Sequence, residues 1–304
     1  MAKNILIAGA TGVVGEQLVS KLLAEGHQVS ILARKPTSQT NVKAFQWDVY
    51  QQTIDNNAFE GIDTIINLTG EGIADKPWTA ERKQQIIDSR VKSAALIFKA
   101  VVATNANIES YISASAVGIY GDRADEVLDE ESMPGTGFMA DCCIAWEKAA
   151  DQGIALGIRV VKIRIGIVLS ERGGALGTME KPIKYFAGSG LGSGQQWMPW
   201  IHIDDLVNIF VHSIKDKNMF DAYNATAPSP VTNKTFTQVF GKVLNRPIWP
   251  FNVPKFVLKA ILGEMSILPL ISTNTSAQKI LNTGFQFRYL NLEDALKAIY
   301  ERKK

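Results

Sequence analysis

The chain has 304 residues, 46% of them hydrophobic and 20% charged, with a formal net charge of +2 at pH 7. This is ordinary globular composition, and the near-neutral charge gives no electrostatic reason to expect nucleic acid or an anionic membrane as the main partner. Cys142 and Cys143 are adjacent, and neighbouring cysteines rarely bridge, so free thiols in a reducing compartment are expected. We also expect no signal peptide and no membrane span, and therefore a cytoplasmic protein.

Short apolar runs alternate with helical patterns along the first half of the chain. The predicted strands are Ile5–Ala8, Val29–Leu32, Ile62–Leu68, Tyr111–Ser113 and Val160–Leu169. The predicted helices include one from Thr79, a candidate N-cap, to about Thr104, and one from Phe138 to Leu156. Strands separated by helices of this length imply βαβ units. The predicted fold class is therefore α/β, a Rossmann-type doubly wound parallel sheet.

The composition changes after Leu169. Glycines are frequent between Gly173 and Gly194, and prolines interrupt short apolar segments from Asn224 onward. We predict a Rossmann domain over residues 1–169, to which residues 195–224 return. Residues 170–194 and 225–304 are expected to form a smaller C-terminal lobe on the substrate side of the sheet.

The first chemical motif lies directly after the first predicted strand and opens the first helix. It reads Gly9-Ala10-Thr11-Gly12-Val13-Val14-Gly15, a GxxGxxG variant of the dinucleotide fingerprint. Tight turns and the close approach of a pyrophosphate need residues without side chains, and a helix N-terminus attracts anions. The predicted phosphate contacts are Gly9, Thr11, Gly12, Val13, Val14 and Gly15. The alternative is a plain strand-to-helix turn.

The end of the second strand carries Arg34 and Lys35, where an NAD-binding protein usually has an acidic residue. A guanidinium matches a phosphate through paired hydrogen bonds, so we predict that Arg34, with Lys35, contacts the 2′-phosphate of NADP(H). A solvated surface pair is the alternative. Asp48, after the next apolar segment, is a candidate adenine-side contact or a surface turn aspartate.

Small residues follow the strand that ends near Asn67. Leu68, Thr69 and Gly70 let the chain pass close to a ligand and are predicted cofactor contacts, although a strand-ending turn uses the same residue types. Glu71 lies just beyond, at the nicotinamide end, and residues 71–78 are candidate substrate contacts.

Five motifs together carry a resemblance. They are the Gly9–Gly15 loop, Asn67-Leu68-Thr69-Gly70-Glu71, Ser89-Arg90, Ser113-Ala114-Ser115-Ala116-Val117-Gly118-Ile119-Tyr120-Gly121-Asp122 and Trp200-Ile201-His202-Ile203-Asp204-Asp205-Leu206. The chain resembles the extended or atypical short-chain dehydrogenase/reductase superfamily, and within it the "epimerase family" branch of NAD-dependent epimerase/dehydratase-like proteins. The resemblance implies a Rossmann domain, NADP(H) as cofactor, and a cofactor site lined by Arg34, Leu68, Thr69 and Arg90, to which we add Ser113.

The chain departs from the catalytic pattern that this resemblance implies. The superfamily uses a serine, a tyrosine, and a lysine four residues after the tyrosine. The lysine lowers the pKa of the tyrosine and holds the nicotinamide ribose. Ser115 matches the serine, but Cys142 falls at the tyrosine position and Trp146 at the lysine position. Lys148 follows Trp146 by two residues, about 200° around the helix, so it does not point the same way as the lysine position. The candidate catalytic residues are therefore Ser115, Tyr120 and Cys142, with structural packing as the alternative for Tyr120 and Cys142.

Trp200 and His202 alternate onto one face of an extended segment, and we predict that they form a wall of the substrate cleft; a structural histidine is the alternative. The three histidines are far apart, so no metal site is expected. The leading hypothesis is an NADP(H)-dependent oxidoreductase or epimerase-like enzyme acting on an unidentified small polar molecule. The alternatives are a non-catalytic NADP(H)-binding regulator and a scaffold with a degenerate core. By analogy, a homodimer is expected.

Overall fold

The computed structural model describes residues 2–35 and 42–301. Within these ranges the strands are β1 (Asn4–Ala8), β2 (Gln28–Ala33), β3 (Lys43–Asp48), β4 (Thr53–Ile54), β5 (Thr64–Asn67), β6 (Ser110–Ala116), β7 (Val127–Leu128), β8 (Arg159–Ile165), β9 (Ile167–Leu169), β10 (Ser189–Leu191), β11 (Trp197–Met198), β12 (Trp200–His202), β13 (Asp221–Ala225), β14 (Val231–Thr232), β15 (Trp249–Val253) and β16 (Asn274–Thr275). The helices are α1 (Val13–Ala24), α2 (Ala80–Thr104), α3 (Phe138–Ala150), α4 (Ala175–Lys184), α5 (Ile203–Lys215), α6 (Asn233–Leu244), α7 (Lys255–Leu262), α8 (Ile267–Leu270), α9 (Gln278–Asn282) and α10 (Leu292–Tyr300).

The central sheet has the strand order β13-β8-β6-β5-β1-β2-β3-β4 and is parallel except for β4. Because the apolar run of β1 is buried on both sides, Ile5 and Ile7 pack in the core next to α1 and α5, and Leu6 and Ala8 pack in the core next to α2. After β1, the chain adds β2 and β3 on one side of it. It then returns to add β5, β6, β8 and β13 on the other side. The crevice at this reversal opens at the carboxyl ends of β1 and β5, where such folds bind ligands. The predicted Rossmann-type α/β fold is confirmed.

Two predicted elements were too long. The predicted strand Val160–Leu169 breaks at Gly166, and β9 leaves the main sheet to pair with β12. The segment before β12 passes close to the chain at this break, since a Cβ on Gly166 would lie 2.3 Å from the Pro199 carbonyl oxygen. The predicted helix Phe138–Leu156 ends as α3 at Ala150 and continues as a 3₁₀ helix, Asp151–Leu156, which the left-handed Gly157 terminates. The predicted cap was correct, because Thr79 accepts the Arg82 amide at the start of α2.

Helices α4, α6 and α10 surround a separate apolar core, which includes Leu176, Phe236, Phe240 and Leu296. These helices and their core are here called the C-terminal lobe. The short parallel pair of β7 and β16 joins the lobe to the Rossmann unit. Helices α7 and α8 extend from the lobe towards the start of α3. A cleft lies between these two helices on one side and the start of α3 on the other. In the described ranges, no helix combines the length and apolar character needed to cross a membrane.

Candidate functional site

The loop between β1 and α1 and the first turn of α1 contain three glycines, and the structure gives a different reason for a glycine at different positions. A Cβ on Gly15 would lie 2.4 Å from the Gly9 carbonyl oxygen, and a Cβ on Gly9, where φ is +81°, would lie 2.8 Å from the Leu68 carbonyl carbon. The fold itself therefore requires both glycines. Gly12 differs, because the nearest atom to its Cβ position is the Gly9 carbonyl oxygen at 3.5 Å. Protein packing leaves room for a side chain there, so the glycine keeps the backbone accessible to something outside the chain.

The N-terminus of α1 is open at the same point. The first helical hydrogen bond runs from the Glu16 amide to the Gly12 carbonyl at 2.9 Å, and no side chain of the described residues caps the helix. Thr11 and Gly12 are exposed, while Val13 and Val14 are half-buried. The amides of residues 13–15 precede the first helical bond and, with the helix dipole, favour an anion.

The residues predicted at the adenosine end follow the next two strands. Arg34 and Lys35 come directly after β2 and are exposed. Asp48 ends β3, and its Oδ1 atom accepts the Tyr50 amide at 2.8 Å and the Gln51 amide at 2.9 Å. The carboxylate of Asp48 therefore shapes the turn into β4, as an aspartate in a surface turn does.

The carboxyl end of β5 carries a buried polar atom that lacks a partner. Asn67 is fully buried, bonds Tyr111 and Ser93, and accepts the Thr69 amide at 3.0 Å. The Thr69 hydroxyl beside it is buried and has no hydrogen-bond partner within residues 2–35 and 42–301. Buried polar groups in proteins are nearly always satisfied, so this hydroxyl indicates a missing ligand. With Gly12 and the open helix end, it shows that a dinucleotide fits the residues along this edge.

Arg90 on α2 fills the space beside Gly70. Its Nη1 donates to the Ile86 carbonyl at 2.8 Å and to the Glu71 carbonyl at 3.2 Å. The guanidinium carbon lies 4.7 Å from the centre of the Trp146 ring. Burial lowers the pKa of Arg90, and the nearby Cys142 and Cys143 oppose this shift. Arg90, a predicted cofactor residue, therefore links the end of β5 to α3, the helix that carries Cys142 and Trp146.

Phe138, Cys142 and Trp146 are spaced by four residues and so lie in a row along one face of α3. The row faces α2 and the segment just before it, because Phe138 contacts Trp78 at 4.7 Å between ring centres and Trp146 stacks on Arg90 of α2. Cys142, in the middle, is 3% exposed. Burial raises the pKa of its thiol and Arg90 opposes this, while burial raises the pKa of Cys143 to about 12. Lys148 is exposed and off this row, as predicted.

Ser115 and Tyr120 belong to a buried polar network. The Ser115 hydroxyl donates to Glu147 Oε1 at 2.7 Å, and Glu147 is paired with Arg164. The Tyr120 hydroxyl donates to Asn224 Oδ1 at 2.7 Å and accepts from Arg164 Nη1 at 2.9 Å. Burial raises the pKa of Tyr120 to about 12.

Ser113, predicted at the cofactor, is 1% exposed, and its hydroxyl bonds the Ala114 carbonyl. Glu71 is ion-paired through Oε2 with Arg82 Nη1 at 3.0 Å. These two side chains are thus held by the protein itself.

Trp200 and His202 lie in the interior. Trp200 is fully buried in the core of the C-terminal lobe, and its indole N–H donates to the Ser229 carbonyl at 3.1 Å. His202 is 2% exposed, caps α5 by accepting the Asp204 amide at 3.0 Å, and stacks on Tyr289 at 3.9 Å between ring centres. The predicted alternation onto one face holds, but that face is covered by the lobe and does not form a wall of the cleft.

The cleft next to the row on α3 has a volume of about 1130 Å³. Its charged lining residues are Lys83, Arg123, Lys255, Lys259, Asp122 and Glu264, and its aromatic ones are Trp78 and Phe138. Trp78 lies within the predicted substrate segment 71–78. Sequence reasoning missed Lys255 and Lys259, although their spacing of four residues after Pro254 would place them on one face of a helix. In the described part of the chain, no group of three or more His, Cys, Asp or Glu side chains is arranged to hold a metal ion.

The fold and this site define a dinucleotide-binding protein of the extended dehydrogenase type, and comparisons with known proteins identify the family. Residues 5–225 match the NAD dependent epimerase/dehydratase family, and residues 253–299 match a domain of unknown function, DUF1731. The chain therefore belongs to the NAD dependent epimerase/dehydratase family.

Similar proteins span the whole chain. The epimerase family protein YfhF of Bacillus subtilis is 34% identical, over 99% of each chain. A chloroplastic SDR39U1 homologue of Arabidopsis thaliana is 36% identical, over 98% of this chain and 87% of the relative. The crystal structure of the human epimerase family protein SDR39U1 with NADPH superposes with a TM-score of 0.86 at 30% identity, covering 98% of this chain and 99% of the human chain.

Proposed function

We propose that this protein binds NADP(H) along the carboxyl ends of β2, β1 and β5. The observation that carries the proposal is the open Gly12 backbone at the uncapped start of α1, a ready site for a pyrophosphate. The exposed Arg34 and Lys35 at the end of β2 favour the 2′-phosphate of NADP(H) over the free ribose hydroxyl of NAD(H). The NADPH in the human relative's structure supports this choice.

The cleft beyond the row on α3 is the proposed substrate site. Four cationic side chains face two acidic ones there, and two aromatic rings form part of the wall. This lining favours a small polar molecule that carries a carboxylate or phosphate. Bound NADPH would supply a hydride to a carbonyl group of such a molecule, or bound NADP+ would take a hydride from an alcohol carbon and return it in an epimerisation. We therefore propose oxidoreductase or epimerase-like chemistry where the proposed NADP(H) site meets the cleft.

Proton transfer is assigned to Cys142 among the three candidate residues. Ser115 and Tyr120 are committed to the buried network, so we propose structural roles for both. Cys142 lies one turn from Phe138, which lines the cleft, and next to Arg90. Because burial raises its pKa, the thiol is protonated at neutral pH and could donate that proton to a substrate oxygen. The guanidinium of Arg90 would stabilise the resulting thiolate.

A second candidate function is regulatory binding of NADP(H) without turnover. The observation that favours it is the burial of Cys142, which is only 3% exposed, together with the engagement of Ser115 and Tyr120. Reduced access to a proton donor would leave a bound dinucleotide unreacted. The two functions differ in whether NADPH is consumed.

Calorimetric titration with NADPH and NADH tests the cofactor assignment. Wild type is expected to bind NADPH more tightly than NADH, and Arg34→Ala to lose this preference. Lys43→Ala is the matched control. Lys43 is also an exposed cation, but it lies at the amino end of β3, whereas Arg34 follows the carboxyl end of the neighbouring β2. A preference that survives in Arg34→Ala would contradict the role of Arg34, and absence of binding to either nucleotide would overturn the proposal.

NADPH oxidation in the presence of carboxylated and phosphorylated carbonyl compounds separates the two functions. If the protein is an enzyme, Cys142→Ser should reduce turnover, whereas the matched variant Cys143→Ser should not. Binding of NADPH without oxidation of it by any compound would favour the regulatory function.

We propose the cytoplasm as the compartment, since Cys142 and Cys143 are free thiols. We also propose a homodimer through α2 and α3. Val102 and Ile144 are exposed apolar residues on these helices, as an interface requires. Light scattering after size-exclusion chromatography should give twice the chain mass, and a monomer would contradict the dimer.

A further inference from the structure

The indole N–H of Trp146 is a buried donor without an acceptor. Trp146 is 7% exposed, and its Nε1 atom has no hydrogen-bond partner among residues 2–35 and 42–301. Four of the other tryptophans do donate to a protein oxygen: Trp78 to Ile73, Trp197 to Asp125, Trp200 to Ser229 and Trp249 to Phe186. An unmade hydrogen bond in the interior is costly, so an acceptor outside the chain is the expected partner.

The orientation of the indole is fixed by Arg90. The guanidinium stacks on the ring at 4.7 Å and is held from its edge by the Ile86 and Glu71 carbonyls. Gly70 lies against the guanidinium, since a Cβ at Gly70 would lie 2.8 Å from the guanidinium carbon. Gly70, Arg90 and Trp146 thus form a stack that spans from the end of β5 to α3.

The stack ends next to a second unsatisfied atom. Thr69, which precedes Gly70, carries a buried hydroxyl that also has no hydrogen-bond partner among residues 2–35 and 42–301. Trp146 belongs to the same core cluster as Ala10, after β1, and Ala114, within β6. An orphaned polar atom therefore occurs at each end of the stack, at the carboxyl edge of the sheet, where ligands of this fold bind.

We propose that the Trp146 N–H donates a hydrogen bond to the nicotinamide-ribose end of bound NADP(H), with the stacked Arg90 providing the positive charge on that side. This inference rests on the proposed NADP(H) function and adds a positioning residue to it. The row on α3 supports the assignment to this end of the dinucleotide. It leads from Trp146 through Cys142 to Phe138 at the substrate cleft, and the reacting ring must face that cleft.

The test uses Trp146→Phe, which keeps an aromatic ring under Arg90 and removes the N–H. NADPH and adenosine 2′,5′-bisphosphate, which lacks the nicotinamide ribose, are titrated by calorimetry. We expect NADPH to bind about three- to tenfold more weakly and the bisphosphate to bind unchanged. Trp249→Phe is the matched control, because its indole donates to Phe186 in the C-terminal lobe. It should change neither affinity.

The alternatives give different results. Unchanged NADPH affinity in Trp146→Phe would overturn the proposal. Equal weakening of both ligands would also overturn it, because it would indicate damaged packing. Wild type that binds neither ligand would instead overturn the NADP(H) function itself.

A measurement on wild type covers the case in which Trp146→Phe does not fold. The chain has six tryptophans, whose indole N–H signals are resolved by ¹⁵N NMR. One signal should move downfield with NADPH and stay in place with the bisphosphate. Identical shifts with both ligands would overturn the proposal.

Discussion

The Arg164 guanidinium makes two hydrogen bonds to the Glu147 carboxylate, from Nε to Oε1 at 2.8 Å and from Nη2 to Oε2 at 2.9 Å. Both side chains are 9% exposed. The pair connects β8 to α3, and the hydroxyls of Ser115 and Tyr120 bond to it on either side. Hydrogen bonds to Glu147 raise the pKa of Arg164 against the effect of burial, so the arginine stays charged. This network fixes the helix that presents Cys142 and Trp146.

Removal of one partner should be strongly destabilising. We expect Glu147→Ala to lower the free energy of unfolding by about 3–5 kcal/mol, because Arg164 then stays charged and buried without a counterion. The double variant Glu147→Leu/Arg164→Met should be more stable than Glu147→Ala, since it leaves no unpaired charge. Urea unfolding followed by circular dichroism measures both. A loss below about 1 kcal/mol in Glu147→Ala, the range of an exposed pair, would contradict the structural role of the pair.

Tyr120→Phe separates a structural tyrosine from a catalytic one. Loss of the hydroxyl should reduce the free energy of unfolding by about 1–3 kcal/mol, because Asn224 and Arg164 each lose a buried partner. Folding raises the pKa of Tyr120 from its ordinary value of 10 to about 12. Its contribution to stability is therefore complete below pH 10 and declines as the pH rises through 12. Urea unfolding at several pH values should show a constant deficit from pH 6 to 9 that shrinks above pH 10. Lost NADPH oxidation with unchanged stability would instead indicate catalysis.

Gly12, before α1, and Gly15, in the first turn of α1, should respond to substitution in different ways. In Gly12→Ala the new methyl group meets only the Gly9 oxygen at 3.5 Å, so the melting temperature should change little while NADPH binding weakens at least about tenfold. In Gly15→Ala the methyl group would lie 2.4 Å from that oxygen, and the protein should lose about 1–3 kcal/mol of stability. Thermal unfolding with and without NADPH measures both. Equal NADPH stabilisation of Gly12→Ala and wild type would show that this backbone does not contact the phosphates.

Local patterns predicted the strand, glycine loop and helix at the start of the chain, because these parts are contiguous in sequence. The strand, glycine loop and helix around Gly12 form one segment, and the end of β2 fixes Arg34 directly. The catalytic candidates were harder, since their roles depend on distant partners. Ser115 bonds a residue 32 positions away, and the two bonds of Tyr120 span 44 and 104 positions. Residue type alone gives no indication that these hydroxyls are already engaged.

The substrate side was the least predictable part. The alternation of Trp200 and His202 indicated a shared face, but which element covers a face depends on how the lobe packs, and here it buries both side chains. The cleft is instead lined by α7, which follows Pro254 in a segment that sequence reasoning treated only as a helical lobe. Its lysines line this cleft together with residues of α2 and α3 that lie more than a hundred positions earlier.

Lys255 and Lys259 should set the charge preference of the cleft. We expect Lys255→Gln/Lys259→Gln, in protein saturated with NADPH, to bind inorganic pyrophosphate about five- to tenfold more weakly at low salt, since each exposed charge contributes at most about 1 kcal/mol. The difference should largely vanish at 1 M salt, where screening acts over about 3 Å. Lys99→Gln, an exposed lysine four turns along α2 from the cleft residue Lys83, is the control. Isothermal titration measures the affinities. Equal pyrophosphate binding in wild type and the double variant would place the anion elsewhere and leave the cleft to an uncharged substrate.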